Sequence, residues 1–461
     1  MLLGGALQSP CMFTNLILQN FKSWEKVDIK FGRITGIFGT NSSGKTSLLQ
    51  FLLLLKQTKD ATDRALTLNL GGPLVMLGSY KDFIFEHDES RVLLWNLGWD
   101  QESEIALIDP RSKRTDAFAT GRDVNLFSEI TSAKGAPRAR ALTYKFGDHK
   151  FSLTAKPSEE TAFSLSAHGD FTFRRVQGRA WTLPGPVKSY AFPDQARAYY
   201  QNAEFLASLV ASFEEQMDRT YYLGPLREYP KREYVWTRSS PGDVGLRGEK
   251  AIEAILAATE RKITRNLRHK SKRFSFQEMI AYWLQQMGLV HSFRVEEIRE
   301  GSSLWQAKVK ARKGAPEVLL TDVGFGVSQV LPVLALLYYV EEGATVILEQ
   351  PEIHLHPLAQ AGLADVLVNV AQHRRVQIIV ESHSEHLLMR LQRRIAEEDV
   401  KSDLITLLFA KVEGSRSELV KLDLDMFGTI RNWPKNFMGD AAGEIDAAAT
   451  ARLKRMKEES T

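Results

Sequence analysis

Apolar and polar positions alternate from Phe13 to Phe38 in two or three strand-sized pieces. The last of these, Arg33 to Phe38, is a short apolar run of the kind that forms a buried strand, and Ser47 to Leu53 after it reads as a helix. Arg91 to Leu97 and Glu104 to Ile108 again predict strands. Between Ala141 and Phe192 the runs Leu142 to Phe146, Phe151 to Leu153 and Phe171 to Phe173 are broken by Gly and Pro, which predicts an antiparallel sheet region. Tyr199, Ala203, Leu206, Leu209 and Phe213 are spaced for a helix over Ala196 to Arg219. Tyr221 to Pro225 reads as a strand ending in a turn, and Gly248 to Arg268 and Phe276 to Met287 as helices. From Val318 onward the pattern is helix, strand, helix, strand, with Thr345 to Leu348 and Gln377 to Val380 as apolar runs of the parallel type. The sequence shows no internal repeat, no low-complexity tract and no sustained heptads, so long coiled-coil arms are excluded.

The strand–helix pair at the start encloses Gly39-Thr40-Asn41-Ser42-Ser43-Gly44-Lys45-Thr46, which fits the phosphate-loop pattern GxxxxGK[ST] at every fixed position. Glycines let backbone N–H groups close around a polyphosphate, and the helix N-terminus adds its positive dipole end. In that reading Gly39, Asn41, Ser42, Ser43, Gly44, Lys45, Thr46 and Ser47 bind ATP, with Lys45 on the β- and γ-phosphates and the Thr46 hydroxyl on Mg²⁺.

The second half supplies what a hydrolytic site needs. Val346 to Glu352 is an apolar strand ending in acids, in which Glu349 holds Mg²⁺ with Thr46 and a neighbouring group orients water. A second apolar strand ends in Glu381-Ser382-His383-Ser384, where His383 can contact the γ-phosphate. Asp322 to Gln329 is a glycine/serine turn opening the helix Val330 to Tyr339, a second helix N-terminus suited to an anion.

This order resembles ABC-type ATPase heads of the branch holding the structural-maintenance, recombination-repair and overcoming-lysogenization-defect ATPases. Asn20-Phe21-Lys22-Ser23-Trp24 is similar to the opening motif of that branch, and Glu349 to Pro357 to its combined Walker B and D-loop segment. Tyr222 to Glu228, Asp322 to Pro332, Glu381 to Leu388 and Trp433-Pro434 resemble one bacterial family of such ATPases, similar to ATPase subunits of anti-phage defence systems. The resemblance implies an α/β, two-lobed head with a phosphate-loop sheet, an antiparallel β subdomain and a helical insertion. It implies that Gly326 and Ser328 cap ATP held by another protomer, so that heads pair as a homo-oligomer. Gln350 stands where such ATPases usually carry a catalytic glutamate; it can orient water but cannot take a proton, which implies slow turnover assisted by Glu352 or Glu349. The Gly/Ser turn departs from the usual signature, and the Q-loop falls nearest Gly78 to Phe85, which holds no glutamine.

With 461 residues the chain accommodates an N-terminal lobe over 1–110, an insertion over 111–220 and a C-terminal lobe over 221–461. Hydrophobic content of 44% and charged content of 25% are ordinary for a soluble protein. The net charge of +4 neither requires nor forbids DNA. Cys11 is the single cysteine, so intramolecular disulfides and multi-cysteine zinc sites are excluded, as suits the cytoplasm. No apolar run is long enough for a membrane helix; Val330 to Val340 contains Pro332 and two tyrosines and reads as core. Met1 to Cys11 is apolar without Lys or Arg, a poor signal peptide, and Met12 is an alternative start.

Other signals have plainer readings. His354 and His356 alternate but lack further metal-ligating neighbours, and Asp423-Leu424-Asp425 has too little chain around it for a Toprim nuclease fold. Arg261, Arg265, Arg268 and Lys272 fall on one face of the expected helix, reinforced by Lys262, Lys270 and Arg273; they suit DNA phosphates, an acidic partner or water. Arg390, Arg393 and Arg394 form a smaller cluster of the same kind. The sequence therefore points to a Mg²⁺-dependent ATP switch acting through a separate, nuclease-like effector. A DNA-repair or DNA-tethering ATPase and a non-hydrolysing ATP-gated scaffold are the alternatives.

Overall fold

The structure is a computed structural model; it describes residues 12–434 apart from 111–116, 158, 179–180 and 269–270, and beyond these 447–452 and 455. Met1 to Cys11 therefore lie outside the described residues.

The opening alternation resolves into β1 (Met12–Phe21), β2 (Trp24–Lys30) and β3 (Ile34–Gly39), followed by α1 (Lys45–Asp60). A short α2 (Tyr80–Phe83) precedes β4 (Leu93–Leu107), a single strand with an irregularity between Asp100 and Ile105 where the sequence suggests two. An antiparallel meander follows: β5 (Ala119–Ala133), β6 (Ala136–Phe146), β7 (His149–Lys156) and β8 (Glu159–His168). Phe171 to Phe173 forms no strand. Phe171 instead stacks on Phe118 at 4.6 Å and meets Phe205 edge-on at 5.0 Å. The helix expected over Ala196 to Arg219 is two, α3 (Asp194–Tyr199) and α4 (Leu206–Asp218), before β9 (Thr220–Leu223).

The second half runs β10 (Tyr234–Val235), α5 (Ala251–Glu260), β11 (Thr264–Asn266), β12 (Arg273–Ser275), α6 (Phe276–Gln286), β13 (Ser292–Glu297), β14 (Leu304–Lys310) and β15 (Val318–Leu319). Then come α7 (Phe325–Tyr339), β16 (Thr345–Glu349), α8 (Pro357–His373), β17 (Gln377–Glu381), α9 (Glu385–Ala396) and the hairpin β18 (Ile405–Glu413) and β19 (Arg416–Lys421).

A six-stranded sheet in the order β19-β18-β3-β17-β16-β9 forms the middle layer; all neighbours are parallel except β18 and β19. Its side chains alternate between two cores, as a period of two requires. Phe38, Leu348, Ile378, Val380 and Leu407 face a core built with α5 to α9, whereas Ile37, Ile347, Ile379 and Leu408 face one built with α1 and the first-half strands. The other large sheet, β2-β1-β4-β5-β6-β7-β8, closes over that second core, so the strands at 119–168 extend the sheet that β1 begins. Between the sheets α1 is buried nearly all round, with Leu48, Leu49 and Phe51 to Leu55 in the core, which explains its uninterrupted apolar run. The architecture is α/β, with one core on each face of the six-stranded sheet. No helix among the described residues is long and apolar enough to cross a membrane.

Candidate nucleotide site

In parallel α/β sheets ligands bind beyond the carboxyl ends of the strands, and here those ends belong to β3, β16 and β17. The loop leaving β3 is shaped by two glycines. Gly39 has φ +146°, and a Cβ there would lie 2.1 Å from the Ala410 carbonyl oxygen on β18. Gly44 has φ +82° at the start of α1, and a Cβ there would lie 2.6 Å from Ser23 Oγ and 2.7 Å from Ser417 Oγ. Trp24 Nε1 donates to the Gly44 carbonyl at 3.0 Å, so the Asn20–Trp24 turn braces the loop from behind. Lys45 is buried, its Nζ donating to the carbonyls of Gly39 (3.1 Å) and Thr40 (2.7 Å); burial lowers its pKa.

A cavity of about 530 Å³ opens over this loop. Asn41, Ser42, Ser43, Gly44, Lys45, Thr46 and Ser47 line one wall. Lys22, Ser23 and Gln50 line a second, with Lys22 Nζ donating to Gln50. Gln350, Glu381 and His383 close the third. Gln350 has φ +42° and its backbone N–H donates to the Glu381 carbonyl at 2.8 Å, which ties the end of β16 to β17. Partial burial and the Lys45 charge lower the His383 pKa below its ordinary 6.5, so the ring is neutral near pH 7.

Three carboxylates cluster where β16 and β17 end. Glu349 and Glu381 are register partners on β16 and β17, and they and Glu352 are all buried. Burial, with the Glu381 charge second, pushes Glu349 up to about 7, although a hydrogen bond from the Tyr222 hydroxyl opposes the shift. Burial raises Glu352 and Glu381 as well. Glu352 Oε1 accepts from Ser382 Oγ (2.8 Å) and the His383 backbone N–H (2.7 Å), so this acid braces the histidine turn and does not line the cavity. Glu349 does not line it either. Glu381 does, and its Oε1 accepts from Thr46 Oγ1 at 3.0 Å. Sequence reasoning gave Glu381, Lys22 and Gln50 no role; the signal for Glu381 was an acid ending an apolar strand, but that two strands flank β3 was not visible. Arg227 is buried beside Tyr222, Glu349 and Glu352 with Nε and Nη1 unpartnered, and burial brings its pKa down to about 10.

Gly326 and Ser328 are not brought to this loop. They start α7, where Ser328 Oγ donates to the Phe325 carbonyl at 2.8 Å and Ser328 lines a separate small pocket with Tyr229 and Pro332. Gly78 to Phe85 does not line the cavity.

The basic stripe is corrected. α5 ends at Glu260, Lys262 takes φ +54°, and Arg265 lies on β11 with Nε donating to the Tyr338 carbonyl at 3.0 Å, so these cations do not share a helical face. Lys270 lies outside the described residues. Arg390 and Arg394 both pair with Asp365 at 2.7 Å, and Arg393 with Glu397 at 2.8 Å. His356 caps α8, its Nδ1 accepting from the Leu358 N–H at 3.4 Å, while His354 packs edge-on against Phe325 at 5.0 Å. Asp425 Oδ1 accepts from the N–H groups of Phe427 and Thr429, both at 2.9 Å, and so shapes a turn. Among the described residues no group of three or more His, Cys, Asp or Glu could hold a metal ion.

Two family models match the chain. Residues 12–109 match the model described as "AAA ATPase domain", and residues 257–390 the model described as "AAA domain, putative AbiEii toxin, Type IV TA system". The first spans the phosphate loop and the second the strands that supply Gln350 and Glu381. Both matched segments are of the AAA ATPase type. Among solved structures, the chain is similar to an SMC head bound to the C-winged helix domain of ScpA, at 11% identity and TM-score 0.43 over 90% of this chain and 98% of that one. It is similar to an SMC head with an extended coiled coil, bound to the C-terminal domain of ScpA, derived from Pyrococcus furiosus (12%, TM-score 0.43, 89% and 96%). The SMC head from Thermotoga maritima gives 12%, TM-score 0.37, 89% and 99%. No curated protein matches this sequence.

Proposed function

We propose that the protein binds ATP with Mg²⁺, hydrolyses it slowly, and uses the cycle as a switch in a bacterial defence complex that controls a separate effector. The cavity carries this reading, because it joins a complete phosphate loop to Gln350, Glu381 and His383 from the ends of β16 and β17. On ATP binding the Lys45 ammonium exchanges the Gly39 and Thr40 carbonyls for phosphate oxygens, and the N–H groups at the start of α1 point at the same anion. Thr46, Glu381 and Glu349 offer the hard oxygen donors that suit Mg²⁺, which when bound neutralises charge on the phosphate oxygens. The Gln350 amide orients the attacking water without accepting its proton, which keeps turnover slow. Neutral His383 contacts the γ-phosphate, and Glu352 fixes the backbone that carries it. Gly326 and Ser328 sit away from their own loop, which suits capping of ATP held by a second protomer.

The defence role is supported by the toxin–antitoxin description of the model matched over 257–390. The effector is a separate nuclease-like chain, and the complex works in the cytoplasm. The primary test is ATP hydrolysis by purified wild type and Lys45→Ala, with Mg²⁺ and with EDTA. We expect Mg²⁺-dependent turnover in the wild type and none above background in a variant with an unchanged melting profile. Turnover within twofold of wild type in Lys45→Ala defeats the proposal. Gln350 also favours a second reading, a non-hydrolysing ATP-gated scaffold; nucleotide binding without turnover supports it.

A further inference from the structure

The acid-strand motif assigns the cation to Glu349, but a different carboxylate touches the phosphate-loop threonine. Strand β17 lies between β3 and β16, so Glu381 is one strand nearer the loop than Glu349. Its Oε1 already accepts from Thr46 Oγ1 at 3.0 Å, and it lines the cavity. Its side chain is 2% exposed, yet Oε2 has no hydrogen-bond partner. A buried ionised carboxylate oxygen without a partner is disfavoured; it takes up a proton or a cation reaches it. The nearby cation does not do so: Lys45 spends hydrogen bonds on the Gly39 and Thr40 carbonyls. Glu349 stands in register with Glu381 on the neighbouring strand, and Arg227 lies beside Tyr222, Glu349 and Glu352.

We propose that Glu381, with the Thr46 hydroxyl and with Glu349 on the neighbouring strand, forms a divalent-cation site that fills before any nucleotide arrives. The donors are hard oxygens, and Mg²⁺ keeps several waters while one or two protein carboxylates and substrate phosphates bind it. Waters can hold the phosphate positions until the nucleotide arrives. The loop then receives the nucleotide on a preformed positive centre, and Lys45 moves from carbonyls to phosphate. This inference rests on reading the cavity as a nucleotide site, and the two are separable by experiment.

Mn²⁺ replaces Mg²⁺ as the probe. Full-length, nucleotide-free protein is titrated with Mn²⁺ and free Mn²⁺ is read by electron paramagnetic resonance; binding of a fluorescent ATP analogue is measured in parallel. We expect about one Mn²⁺ per chain, displaced by Mg²⁺, with affinity reduced tenfold or more in Glu381→Gln and partly retained in Glu381→Asp. Melting curves confirm that each variant is folded. Failure of the wild type to bind Mn²⁺ without nucleotide overturns the proposal, as does equal Mn²⁺ affinity in Glu381→Gln. If the ATP analogue binds while Mn²⁺ alone does not, this inference fails and the nucleotide reading stands. If Mn²⁺ binds through Glu381 but the analogue does not bind, the inference stands and the nucleotide reading fails.

Discussion

Gln350 and Glu349 are neighbours in sequence with opposite problems. Gln350 carries a side chain that cannot take a proton, in a backbone conformation (φ +42°) that aims it into the cavity. Turnover should therefore lie well below the ~10 s⁻¹ median of enzymes. Gln350→Glu is expected to raise the rate or leave it unchanged; a large fall with ATP affinity preserved would show that the amide itself is required. Glu349 is a carboxylate that burial holds protonated up to about pH 7. Its folded pKa lies above the unfolded value, so the folded state binds more protons in the interval between them. The stability it contributes is present below the unfolded pKa and is lost as pH rises through the folded one. The melting temperature of nucleotide- and metal-free protein should thus fall from about pH 5 to about pH 7.5, and Glu349→Gln should flatten that slope. An unchanged slope in the variant would assign the titration to another group.

Among the elements, the β3–α1 loop is the one most tightly specified by neighbours far away in the chain. Gly39 meets β18 and Gly44 meets both the Asn20–Trp24 turn and β19. Gly39→Ala places a methyl group against the Ala410 carbonyl in a conformation that L side chains rarely adopt. It is expected to cost on the order of 2–3 kcal/mol of stability and to abolish binding of a fluorescent ATP analogue. Retention of wild-type affinity and melting temperature would mean that β18 yields easily. The stretch after α5 shows the opposite case. Basic residues continue at helical spacing beyond Glu260, but the chain turns through Lys262 at positive φ and pairs β11 with β12. No glycine or proline marks that stop; the decision comes from packing, since Ile263 and Leu267 lie against the C-terminal core.

Across the whole molecule, the question is where α7 finds its anion. Its N-terminus presents Gly326 and Ser328 away from the phosphate loop, beside the exposed aromatic pair Tyr229 and Phe325, whose rings lie 5.6 Å apart. If heads pair on ATP, mixing Lys45→Ala with Ser328→Arg should restore part of the activity that each lacks, because one shared site remains whole. Sedimentation should show a heavier species with ATP than without. The same oligomer in both conditions, together with no rescue in the mixture, would place the complete site within one chain.

The sequence by itself determined the phosphate loop, its strand and helix, the acid strand and the histidine turn. Each is a local pattern whose chemistry needs fixed residue types at fixed spacing. It also determined the amphipathic helix α6, the apolar core helix α7, and the antiparallel character of the 141–168 region. Tertiary structure decided what depends on strand order. Apolar runs as short as β16 and β17 are buried on both faces and carry no signal of which neighbour they take. Only the placement of β17 between β3 and β16 sets Glu381 against Thr46 and leaves Glu349 one strand further away. The β18–β19 hairpin is another such case, an apolar run whose role in bracing Gly39 and Gly44 depends on joining β3 across the length of the chain. Local propensity writes the motif; long-range pairing chooses which of its acids faces the cavity.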